Sequence, residues 1–181
     1  MNIISPINAK VIEELTIGTK VNISGVVYTA RDAAHQRIIE TLDNGEKPPF
    51  ELEGQTIYYM GPSPAPPGKV IGVVGPTTSR RMDAYTPRLL AAGVKAFMGK
   101  GSRSKEVRKA LKKYEAVYLA TTGGAGALLA KSVMRVEPVA YEDLGPEAIM
   151  RLTVENFPAV VANDIYGDDL FERGKAEYRR D

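Results

Sequence analysis

Residues 20–42, KVNISGVVYTARDAAHQRIIETL, change their hydrophobic period in the middle, and the architecture follows from that change. Lys20–Thr29 is rich in Val and Ile with Thr and Tyr, side chains that suit a pleated, half-buried surface, so it reads as a strand. From Arg31 to Leu42 the apolar positions Ala34, Ile38 and Leu42 fall on one helical face. Asp32 lies in the first turn, at the positive end of the helix dipole, and Gly45 lies just past the end. A strand that feeds directly into a helix is the repeating unit of an α/β protein.

The unit recurs downstream. Thr56–Met60 is a short strand between two loops, NGEKPPF and GPSPAPPG, the second stiffened by four prolines. Lys69–Val74, KVIGVV, is a nearly continuous apolar run that predicts a strand buried on both faces, ending at Gly75-Pro76 and followed by the turn TTSRRMD. Pro87 suits the first turn of a helix that carries Leu89 and Leu90 and stops at Gly93. Val94–Met98 is the next strand. Ser104 is an N-cap for the basic helix Lys105–Lys113, Ala116–Thr121 is again a strand, TTGGAGALLA opens a further helix, and Val133–Tyr141 is a strand. Two regions are less defined. Residues before Lys20 form an arm without a clear pattern; EAIMRLTVENF fits helix or strand, and AVVANDIYGDDLF reads as a strand, a turn and a polar end. The expectation is one α/β domain over residues 1–181, a mostly parallel central sheet with flanking helices, and a flexible tail over 172–181.

The 181 residues are 44% hydrophobic, with 24 Lys+Arg against 22 Asp+Glu, a net charge of +2 that gives no signature of nucleic-acid binding. The basic helix Lys105–Lys113 has no interleaved aromatics and reads as a solvated face. No segment is apolar for long enough to span a membrane, and MNIISPINAK lacks the order of a signal peptide, so an intracellular, cytoplasmic protein is expected. There is no cysteine. That excludes a disulfide framework, a nucleophilic thiol and any iron–sulfur cluster held by this chain's own thiolates, and a single histidine, His35, gives no metal site by itself.

In open α/β sheets ligands bind beyond the carboxyl ends of strands. Three such ends carry fixed cations: Thr29–His35 with Arg31, Gly75–Asp83 with Thr77, Thr78, Ser79, Arg80 and Arg81, and Gly99–Ser102 with Lys100. Hydroxyls or glycine amides beside a cation at a helix start suit a carboxylate or phosphate. Each has a plainer alternative. Arg31 and Asp32 also fit a helix-terminal ion pair, His35 a core-edge side chain, and Lys100 between two glycines an ordinary turn. Gly123-Gly124-Ala125-Gly126 has neither the ending of a P-loop nor a dinucleotide spacing, and fits a close strand-to-helix turn.

GPTTSRRMDAYTPRLLAAG, taken with SGVVYTARDAAH, MGKG and VYLATTGGAGALLAKSV, resembles the β subunit, or C-terminal domain, of the class I fumarate hydratase and L(+)-tartrate dehydratase family of iron–sulfur hydro-lyases. The resemblance runs from about Val21 to Phe171. It implies a swivelling β/β/α domain that completes an active site with a separate α subunit, which supplies three cysteines to a [4Fe–4S] cluster. It also implies reversible hydration of a four-carbon dicarboxylate, in an assembly of α₂β₂ type. The family's substrate-binding arginines carry over onto Arg31 and Arg81 and its lysine onto Lys100. Thr77, first threonine of the GPTT motif, matches the residue proposed to move the C3 proton. No metal ligand is expected in this chain. Arg80 stands where family members commonly have a small residue. The same pocket without chemistry would serve a stand-alone dicarboxylate-binding or regulatory module.

Overall fold

The computed structural model describes residues 1–180 and carries the strand–helix alternation through most of the chain. In order, it contains β1 (Asn2–Ser5), α1 (Ala9–Glu14), β2 (Lys20–Thr29), α2 (Asp32–Asp43), β3 (Thr56–Tyr58), α3 (Thr86–Ala91), β4 (Ala96–Gly99), α4 (Lys105–Lys113), β5 (Val117–Ala120), α5 (Gly126–Leu129), β6 (Val133–Ala140), β7 (Ile149–Asn163) and α6 (Leu170–Tyr178). Short 3₁₀ turns lie at Ser79–Met82, Ala130–Ser132 and Glu142–Glu147. The seven strands form one mixed sheet in the order β1-β2-β3-β4-β5-β7-β6, with β2 also paired to β7. The pairings from β1 through β5 are parallel, and those made by β7 are antiparallel. The hydrogen-bonded circuit β2–β3–β4–β5–β7–β2 therefore closes on itself.

Side-chain alternation explains the layering. Tyr58, Ala96, Met98, Val117 and Leu119 join an apolar cluster with residues of β1, β2 and β7, while Ile57, Tyr59, Phe97 and Tyr118 point into a second cluster with α2, α3 and α4. Strands β3 to β5 are thus buried on both faces, the setting in which parallel strands read as continuous apolar runs. Ser104 caps α4 by accepting from the Val107 amide at 3.2 Å, as the sequence predicts.

One expected strand is absent. Lys69–Val74 is not part of the sheet: Val70 and Val73 are exposed, and the segment is an irregular strap stitched to the Pro-rich loop. Ser63 donates its amide to the Val73 carbonyl and accepts the Val73 amide on its hydroxyl, the Tyr58 hydroxyl donates to the Val74 carbonyl, and the Val74 amide donates to Gly126. Backbone groups satisfied by turns and side chains leave nothing for a ladder.

The two ill-defined regions also resolve. The N-terminal arm is β1 and α1, with Ile3, Ile7, Ile12 and Leu15 buried. The ambiguous stretch and the apolar run after it are one 15-residue strand, β7, bent at Asn156, where φ is 51°. Its length lets it pair with β2 along one side and with β5 and β6 along the other. Most of the segment expected as a flexible tail over 172–181 is helix α6, capped by Asp169, and residue 181 lies outside the described residues.

Candidate functional site

The site lies at the carboxyl ends of β2, β3, β4 and β5. Arg31 is the N-cap residue of α2, and its side chain runs along Gly61, where an added Cβ would stand 3.1 Å from Nη1. Its Nη2 pairs with Glu147 Oε1 at 3.1 Å, and its Nε lies 3.5 Å from Asp32 Oδ2. Asp32 in turn accepts two hydrogen bonds from Arg81, from Nε at 3.0 Å and from Nη2 at 2.8 Å. One carboxylate therefore sits between the two arginines. Glu147 reaches α2 as well, its Oε2 accepting the Ala33 amide at 2.8 Å, one of the free donors at the helix start. The turn that carries Glu147 is tied to α2 by Arg37, which donates to both oxygens of Asp143; this bond holds the Asp143 carboxyl below its usual range.

The second half is built by backbone pairing. Beyond Tyr58, β3 and β4 diverge, and Thr77–Ser79 is inserted between them. The Thr77 amide donates to the Tyr59 carbonyl at 2.7 Å, the Lys100 amide to Thr77 at 3.3 Å, and the Ser79 amide to Lys100 at 2.9 Å. Thr78 and Lys100 are partners in a parallel bridge. The insertion needs Gly99, because a Cβ there would collide with the Ser79 side chain and stand 2.9 Å from Tyr59 Cδ2. The Lys100 side chain lies over Gly123, its Cδ 3.2 Å from where a Cβ would be. Among the described residues no carboxylate lies within ion-pair distance of Lys100 or Arg80.

The structure thus brings Arg31 and Arg81 onto a shared carboxylate and Thr77 and Lys100 onto adjacent backbone. The Gly123–Gly126 run serves close packing: a Cβ on Gly126 would meet the Gly75 backbone at 2.6 Å. The basic face of α4 is partly tied down, Arg108 pairing with Asp169 at 3.1 Å and Lys112 donating to the Tyr166 carbonyl at 3.1 Å. A cavity of about 430 Å³ lies elsewhere, lined by Val70, Ile71, Val73, Ala127 and Val133 with Lys69 and Lys131 at its rim. Its aliphatic lining does not suit a small dianion, which the arginine cluster does.

Sequence reading did not reach Glu147, which comes from a distant turn, or Arg103 and Asp83, whose pairing has no local signature. Arg103 is fully shielded from solvent and pairs with Asp83 at 2.7 Å. Burial works against its charge, but Tyr59 and Asp83 outweigh that, and the guanidinium is held above its ordinary range.

His35 is a core side chain. It is buried against Tyr59 and Tyr85, its Nδ1 is 3.1 Å from the Arg31 carbonyl, and its Nε2 has no partner among the described residues. Burial pushes its pKa down from 6.5 to about 4, against the Arg31 carbonyl, which favours the charged ring. The unfolded chain then binds the extra proton more readily than the folded one. Stability from neutral His35 is complete above about pH 6.5 and is lost as pH falls towards 4, by about 3 kcal/mol in all. Urea unfolding of the wild type and of His35→Gln across this range checks it: the variant's stability should fall less steeply, and parallel curves would refute the assignment.

A family model described as "Fumarase C-terminus" matches residues 1–174. The chain is 43% identical over 169 residues to a protein of Methanocaldococcus jannaschii named "Putative L(+)-tartrate dehydratase subunit beta", covering 90% of this chain and 87% of that protein. It is 40% identical over 164 residues to the aerobic class I fumarate hydratase of Escherichia coli and, over the same length, 40% identical to fumarate hydratase 2 of Leishmania major. Those alignments cover 90% of this chain but 30% and 29% of the two fumarate hydratases.

Proposed function

This chain belongs to the fumarase C-terminus family, and we propose that it is the β subunit of a hydro-lyase acting on a four-carbon dicarboxylate, fumarate with malate or L-tartrate. The observation that carries the reading is the pair of arginines held on Asp32, with Arg81 four residues from Thr77, whose carbonyl accepts the Lys100 amide. Asp32 occupies one edge of the Arg81 fork and Glu147 one nitrogen of Arg31, leaving further N–H groups of each to grip a carboxylate. Lys100 adds an unpaired point charge. In the dehydration direction the C–O bond breaks with its electron pair leaving on oxygen, a proton leaves the adjacent carbon, the C–H pair becomes the new double bond, and hydroxide and proton together make up the released water. Thr77 is the proposed group for that proton; the cations around it favour the alkoxide form of its hydroxyl, which is the form able to accept a proton.

This chain has no residues that fit an iron–sulfur cluster. It has no cysteine, and among the described residues no three His, Asp or Glu side chains gather as a metal site. A [4Fe–4S] cluster belongs, in this reading, to a separate α subunit, and none of the roles above is routed through it. The name "subunit beta" of one relative, and the 30% share of the longer Escherichia coli fumarate hydratase that this chain spans, support such a partner. Assembly as α₂β₂ and a cytoplasmic location complete the proposal. The helix layer, parallel strands and antiparallel β2–β7 layer support the swivelling β/β/α label.

Anaerobic co-expression with the cysteine-bearing partner, followed by assays on fumarate, malate and L-tartrate, tests the proposal. A co-purifying complex with hydro-lyase activity is expected. A chain that binds these dicarboxylates but acquires no activity with the partner would favour a stand-alone binding module.

A further inference from the structure

We infer that the buried Arg103–Asp83 pair is a positioning element that sets the Thr77–Arg81 segment against the Lys100 loop, so that the anion clamp is preformed. This rests on the dicarboxylate reading above and adds to it the device that fixes the clamp's spacing.

Arg103 spreads its fork over three partners. Nε donates to Asp83 Oδ1 at 2.7 Å, Nη2 to Thr86 Oγ1 at 2.7 Å and Nη1 to the Tyr59 hydroxyl at 3.3 Å. The guanidinium carbon lies 5.2 Å and 4.9 Å from the ring centroids of Tyr59 and Tyr118. Asp83 ends the 3₁₀ turn that bears Arg81, and its other oxygen accepts the Ser104 amide at 2.7 Å, four residues beyond Lys100. One carboxylate therefore joins the two segments that carry the candidate residues. A second tie runs parallel to it: Ser79 Oγ meets the Tyr118 hydroxyl at 2.8 Å, and that hydroxyl donates to the Gly101 carbonyl at 2.9 Å.

Stability alone is a poor reason for this arrangement, since hydrophobic residues of similar volume commonly replace a buried ion pair without loss. What a guanidinium supplies and an apolar side chain does not is fixed direction to several partners at once. Direction matters here because Arg81 and Lys100 must meet one small dianion at once, and binding groups held away from that spacing lose grip on substrate and transition state alike, a loss that appears in KM.

The test uses Arg103→Lys, which keeps the charge and loses the fork, and Tyr118→Phe, which deletes only the hydroxyl of the second tie. In the assembled complex, on whichever of fumarate, malate or L-tartrate the wild type turns over, each variant should raise KM by about tenfold, with kcat changing less. Hydrogen exchange at the Ser79 and Lys100 amides should accelerate by a similar factor while amides of β5 and β7 keep their protection. A lower kcat at constant KM is what loss of folded molecules produces, and it would overturn the proposal, as would unchanged KM. Should Arg103→Lys not fold, Tyr118→Phe decides by the same two measurements. If the wild-type complex turns over none of the three acids, the functional reading fails separately. The exchange comparison on this full chain then decides the positioning claim, unchanged protection at Ser79 and Lys100 overturning it.

Discussion

Arg81→Ala is expected to lower kcat/KM of the assembled complex by about a thousandfold, equivalent to about 4 kcal/mol of lost transition-state stabilisation. Two effects add. The substitution removes a forked, charge-assisted grip on a substrate carboxylate, and it strips Asp32 of its main partner, leaving that carboxylate negative beside an incoming dianion. The second effect is separable. Asp32→Ala in the Arg81→Ala background should recover part of the activity, because the repulsion goes with the carboxylate, whereas Asp32→Ala alone should lower activity by loosening both arginines. Steady-state kinetics on the four proteins form a double-mutant cycle. An Arg81→Ala complex within threefold of wild type would place the clamp elsewhere, with Arg80 the neighbouring cation to examine.

The second large effect is on stability. Arg103→Met should cost about 3–5 kcal/mol, since it leaves the Asp83 carboxylate, only 12% exposed, without its counter-charge. Against a typical total of about 5–15 kcal/mol this is a severe loss. Adding Asp83→Asn should restore much of it, because the amide oxygen still accepts the Ser104 amide while the unpaired charge is gone. Urea unfolding of the three proteins at pH 7 is the measurement. A loss below about 1 kcal/mol for Arg103→Met would show that water reaches Asp83 and relieves it.

Much of the site was legible locally. Arg31 follows a strand of ten residues with a clean β pattern and precedes an amphipathic helix, so its place at a strand end needed no tertiary information. Lys100 follows the all-buried strand β4 in the same way. Thr77 and Arg81 were located by a partly mistaken route. KVIGVV has the composition of a buried strand, but Val70 and Val73 face solvent and its backbone bonds go to Ser63 and Gly126. The segment after it still reaches the strand ends, because Thr77–Ser79 fills the gap where β3 and β4 part.

Glu147, Asp83 and Arg103 show the opposite case. Each acts on a residue far away in sequence, Glu147 on Arg31 and on the Ala33 amide, and Arg103 on Tyr59, Asp83 and Thr86. Isolated charges in loops look alike in a sequence whether they are solvated or buried. Only desolvation by the packed structure distinguishes them.

By itself the sequence determined most of the alternation of strand and helix, two of the three strand ends that bear cations, and the absence of any thiolate in this chain. These follow from short-range periodicity and from residue chemistry, which do not depend on what the chain later packs against. The tertiary structure alone decided that β7 closes the strand circuit, that Arg31 and Arg81 share Asp32, and that a buried Arg103, with Asp83, joins the segment bearing Thr77 and Arg81 to the one bearing Lys100. Those are contacts between distant segments, and they exist only once folding has brought those segments together.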